Sequence, residues 1–64
     1  MNISDMDMLQ DYEKDARMAA LAYAIVETDI MDKQLRALVH KGYEAASKAQ
    51  QAAASLIMAR GDRP

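Results

Sequence analysis

The groups that could do chemistry in this chain are few: one histidine, His40, three serines, ten carboxylates and no cysteine. A Ser-His-Asp or Cys-His arrangement would rest on His40 alone. Ser4, Ser47 and Ser55 sit in cap-like or helical contexts, without the strained strand-to-helix elbow that exposes a nucleophilic hydroxyl. Asp29 and Asp32 stand about one helical turn apart and His40 lies about two turns further on. Ligands strung along one helix cannot surround a cation, and Lys33 and Arg36 offer those carboxylates ordinary ion pairs instead. The residues therefore predict a protein that is not an enzyme, with no metal, no cofactor and no small-molecule substrate.

Two further patterns carry binding chemistry in principle. Lys33, Arg36, His40 and Lys41, with Lys48 beyond them, give the second half of the chain a basic character that could contact phosphates if a dimer doubled it. Asp29, Asp32 and Glu44 lie among them, no Phe, Tyr or Trp falls between Lys33 and Lys41 for base stacking, and the formal net charge is −2, so a salt-bridged surface is the simpler expectation. The tripeptide Arg60-Gly61-Asp62 matches an integrin-binding motif in letters. Its place at the end of a helical pattern reads as a helix stop followed by a polar tail.

The elements that would position these groups follow from composition. Thirteen alanines, two glycines, one terminal proline and neither Phe nor Trp in 64 residues describe an all-α chain. Ala16 to Val26 carries a single charge, Arg17, and is apolar on nearly every side, so one neighbouring helix can shield only part of it. Ser4 reads as an N-cap with Asp5 and Asp7 behind it. A first stripe then runs Leu9, Tyr12, Ala16, Ala19 or Ala20, Tyr23, Val26, with Glu13 and Arg17 paired on a wetter side. Thr28 or Asp29 would cap a second helix, whose stripe is Met31, Leu35, Leu38, Gly42, Ala45, Ala49, Ala52, Leu56, Ala59, supported by acid-before-base pairs at Asp29–Lys33, Asp32–Arg36 and Glu44–Lys48.

The expected architecture is one domain spanning 1–64: a helix over about 5–27, a turn at about 28–30, an antiparallel helix over about 30–60, and a frayed tail at 61–64. That fold-back sets Tyr23 near Leu35, Ala16 near Gly42, and Tyr12 near Ala45 and Ala46. Two alternatives remain: a break at Gly42 after His40 and Lys41, or one long helix in a coiled coil, since Leu9, Ala20, Met31, Gly42 and Ala53 recur every eleven residues.

A chain this short has a marginal core, and without disulfides or a metal it needs a partner surface. The surplus apolar face is read as Met18, Leu21, Ala22 and Ile25, with Val39, Ile57 and Met58 added, closing into a four-helix bundle on dimerisation or on binding another protein. Six methionines suit a surface that adapts to its partner. In length and helix pattern the chain is similar to the Rop family of plasmid copy-control RNA-binding proteins and to the small hairpin co-chaperones of type III secretion needles. The first reading is a non-enzymatic protein-binding module, an adaptor, inhibitor or co-chaperone, working as a homodimer or with another protein. The alternative is a Rop-like dimeric RNA- or DNA-binding regulator using Lys33, Arg36, His40 and Lys41. Neither a basic leader nor an apolar run of membrane-spanning length is seen, which makes a cytoplasmic setting the expectation.

Overall fold

A computed structural model describes residues 3–64, and side chains from residue 4 onward. It contains two helices, α1 (Ile3–Asp29) and α2 (Lys33–Ala59), packed antiparallel as a hairpin with principal extents of 45 × 14 × 13 Å. The protein is all-α. Among the described residues no helix is long and apolar enough to cross a membrane.

The turn is made by side chains that compete with the helix for backbone partners. Asp32 adopts an extended conformation (φ −72°, ψ 125°) and its Oδ1 accepts from the backbone N–H groups of Gln34 at 2.9 Å and Leu35 at 3.0 Å, satisfying two of the orphan donors of α2. Arg36 then reaches back, Nε at 3.0 Å and a terminal nitrogen at 2.6 Å, to donate to the Ile30 carbonyl. Thr28 and Asp29, the caps expected from sequence, instead belong to α1. The Thr28 hydroxyl donates to Ile25 O within the helix at 2.7 Å, and α1 bonding persists as far as Ile30 N–H to Val26 O, 3.1 Å. The expected Asp32–Arg36 pair is thereby replaced, the carboxylate serving the cap and the guanidinium a carbonyl. Ser4 likewise stands inside the first turn of α1, which already includes Ile3, and does not precede it. Gly42 lies within α2, so the chain neither breaks there nor runs as one helix.

At the far end Arg60 is the C-cap and Gly61 takes φ +80°, the left-handed conformation that glycine adopts without a Cβ penalty. Gly61 N–H bonds Met58 O and Asp62 N–H bonds Ile57 O, closing the paired motif that satisfies the last carbonyls of a helix. The tail is held: Gln10 donates its side-chain amide to Arg63 O. Arg60-Gly61-Asp62 is thus a helix stop, with the Asp62 carboxylate accepting from Arg63 N–H at 2.8 Å.

The seam between the helices differs from the expected one in register and in phase. Tyr23 packs over Gly42, where an added Cβ would lie 2.7 Å from the ring, and Gln50 donates to Glu13 at 2.7 Å. Against the expected Tyr23–Leu35 level, α2 has moved by about two turns; the turn at residues 30–32 in place of 28–30 accounts for about half of that shift. Among the described residues the buried ones are Ile57 (0% exposed), Glu13 (1%) and Ala53 (4%). Glu13 is therefore at the seam, contrary to its expected place on a wetter side. Half-buried Ala16, Ala20, Ala24, Val39, Tyr43 and Ala46 complete the contact. Of the stripe expected to be buried on α2, Gly42 and Ala49 are half-buried, whereas Leu35, Leu38 and Leu56 are exposed. An alanine-rich helix is apolar on several sides, so periodicity alone leaves its rotation undetermined. Burying Ile57 and matching Gln50 to Glu13 choose the observed phase.

Candidate protein interface

The helices leave three distinct surfaces. On the outer side of α1, Met18, Leu21 and Ile25 form a ridge, each roughly 60% exposed (57%, 61% and 63%), at the i, i+3, i+7 spacing that lines up side chains on one face. Ala22, also exposed, joins this ridge to the neighbouring side, where it lines an open groove of about 310 Å³ with Ala19, Tyr23, Val26 and Val39.

That groove belongs to a broad flat side. Tyr23 over Gly42 fixes which sides of the two helices adjoin. Helical spacing then carries the side from Tyr12 through Ala19 to Val26 on α1 and from Leu38 through Ala45 and Ala52 to Leu56 on α2. The two stripes read from the sequence are thus real, but they mostly flank the seam and do not fill it.

The opposite side is polar. A second open groove, about 570 Å³, is lined by Ala24, Glu27, Thr28, Arg36 and Tyr43. His40 sits at its edge, Nδ1 2.9 Å and 3.1 Å from the two Glu27 carboxylate oxygens and Nε2 3.2 Å from Glu44 Oε1, and its ring stacks on Tyr43 with centroids 5.7 Å apart. The Glu27 hydrogen bond, then the Glu27 charge, raise the His40 pKa above its ordinary 6.5. Glu44 adds in the same direction and desolvation opposes. Glu44, expected to pair with Lys48, takes His40 as a partner. The polar side chains of this side have partners within the chain: Arg36 and Thr28 donate to the backbone carbonyls of Ile30 and Ile25, and His40 meets two carboxylates. Among the described residues no group of three or more His, Asp or Glu side chains is placed to hold a metal ion.

The seven residues nominated from sequence for a partner surface therefore separate. Met18, Leu21, Ala22 and Ile25 stay together on the outer side of α1. Val39 is half-buried on the flat side. Ile57, at 0% exposure, is a core residue in the last turn of α2 and presents nothing to a partner. Met58 is 57% exposed but stands near the open end of the hairpin, more than three helical turns from the level of Met18. Of the nominated phosphate contacts, Arg36 and His40 are engaged within the chain, while Lys33 and Lys41 are exposed. Leu38, Tyr12 and Val26, the most exposed large residues of the flat side, lie outside the partner surface expected from sequence; their stripes carry the signal but point to the seam.

No family model, curated protein or solved structure matches the chain.

Proposed function

We propose that this protein is a small non-enzymatic binding module, of the adaptor, inhibitor or co-chaperone kind, that engages another protein through the Met18–Leu21–Ile25 ridge in a cytoplasmic setting. One observation carries the reading: the apolar residues lie mostly outside. Among the described residues only Ala53 and Ile57 are buried hydrophobics, whereas the ridge holds three large apolar side chains at 57–63% exposure. Anchors at i, i+3 and i+7 on one helix are what a helix-binding groove accepts, and methionine and leucine adapt to its shape. The basic residues support a nucleic-acid role less well, since Arg36 and His40 are spent on partners within the hairpin.

The test is recovery of the bound protein from the native host with tagged wild type, Leu21→Asp and the triple reversal Lys33→Glu, Arg36→Glu, Lys41→Glu. Leu21 is 61% exposed, so the aspartate is tolerated by the hairpin, as unchanged circular dichroism would verify. Binding is expected to vanish with Leu21→Asp and to survive the triple reversal. Loss of binding in the triple reversal alone, with steep salt dependence, would reverse the assignment in favour of nucleic acid.

A further inference from the structure

The flat side is a different surface from the ridge, and it asks for a different occupant. A compact monomer of 7.1 kDa exposes about 4,100 Å². This hairpin exposes 4880 Å², an excess of about 800 Å², which is close to the share one partner contributes to a standard protein interface. We propose that the occupant of the flat side is a second copy of this chain, turned about a two-fold axis parallel to the long axis of the hairpin, so that α1 of each copy lies over α2 of the other and both turns lie at the same end.

The relief and the charge both fit that arrangement. Tyr23, Val26 and Leu38 stand at the turn end, 40%, 46% and 66% exposed, and Tyr12 and Leu56 at the open end, 55% and 40% exposed. Between them Ala19, Ala45 and Ala49 leave a low centre where two copies can approach closely, as small residues at a helix contact allow. The Tyr23 ring lies in the notch left by Gly42, which keeps the surface level. Self-complementarity of one patch is what a two-fold interface requires, and four antiparallel neighbours make a four-helix bundle.

Charge selects the orientation. Asp15 edges the flat side on α1 and Lys48 edges it on α2, both exposed, and the level set by Glu13 and Gln50 puts 15 beside 48. With α1 over α2 of the partner, Asp15 of each copy meets the partner's Lys48, giving two symmetric pairs. With the axis crosswise, α1 lies over α1 and these pairs are not formed.

This inference stands on other residues than the proposed binding role, and either can fail alone. Light scattering on the purified full chain is expected to give twice the 7.1 kDa chain mass. Leu38→Glu is expected to give a monomer, or to lose helix at concentrations where wild type retains it, while Leu21→Asp remains a dimer. Asp15→Lys is expected to weaken self-association about tenfold, and adding Lys48→Asp to restore it. A concentration-independent wild-type monomer, an assembly larger than a dimer, or a dimer broken by Leu21→Asp and untouched by Leu38→Glu would overturn the inference. A dimer lost in Leu38→Glu but not rescued by the charge swap would overturn the orientation.

Discussion

Replacing Gln50 by leucine isolates the most exacting contact in the hairpin. Glu13 is 1% exposed. One carboxylate oxygen accepts from Gln50 Nε2 at 2.7 Å, and the other is buried without a hydrogen bond, with the Arg17 guanidinium 3.6 Å away and half out in solvent. Leucine keeps most of the glutamine volume and removes the donor. A hydrogen bond to a charged group is worth about 1.5–3 kcal/mol, and leaving the acceptor buried incurs its desolvation cost. The Arg17 contact is exposed on one side and contributes under about 1 kcal/mol, so it does not compensate. A loss of about 2 kcal/mol in a chain of this size lowers Tm by roughly 8–16 °C. Thermal melts followed by circular dichroism, at one fixed protein concentration because assembly shifts apparent stability, would read it. The double variant Glu13→Leu, Gln50→Leu is expected to recover most or all of the loss, since well-packed apolar groups replace a buried polar pair at little cost. If Gln50→Leu melts within about 2 °C of wild type, Glu13 is hydrated and the seam is not dry there.

Two more outcomes follow from the turn and from the polar side. Asp32→Ala removes both cap bonds of α2 and is expected to cost about 1 kcal/mol, read as a lower midpoint in urea, whereas Asp29→Ala should change it little. His40 has a raised pKa in the folded chain, so its stabilising contribution is complete below the unfolded value of 6.5 and is lost as pH rises through the folded value. Wild type is therefore expected to melt at a higher temperature at pH 6 than at pH 8. The difference should shrink in Glu27→Gln; a pH dependence equal in that variant would refute the Glu27–His40 contact as its source.

The hairpin was legible in the sequence because its signals agree: alanine-rich periodicity on both sides of a cluster of capping residues, no interior proline, and Gly61 as the stop. The position of the turn was less so. Thr28, Asp29 and Asp32 are all good caps by type, and only the extended backbone at Asp32 decides among them. Rotation of the helices was the least legible. Leu35, Leu38 and Leu56 form the stronger apolar stripe on α2, yet they are exposed, and the seam takes Ala53, Ile57 and a glutamate. A charged residue at a seam runs against the polar-outside pattern, and only its meeting with Gln50, 37 residues away, makes it intelligible. The candidate ridge at Met18, Leu21, Ala22 and Ile25 was legible as a set because spacing within one helix does not depend on how the second helix packs.

The long-range bonds between the two arms of this rod are graded in sequence distance: Glu27 with His40 spans 13 residues, Glu13 with Gln50 spans 37, and Gln10 with Arg63 spans 53. Loop closure costs more as the loop lengthens, so the bond nearest the turn is the least demanding to form from an open chain. Once it is made, the residues beyond it are already held side by side, and the next bond closes a loop of far fewer free residues. The Asp32 cap and the Arg36 clasp on Ile30 stand at the origin of that series. Each such bond shortens the loop that the next must close, and the most deeply buried residues, Glu13, Ala53 and Ile57, stand on the tail side of the middle of the molecule, so the end farthest from the turn is the one that packing holds.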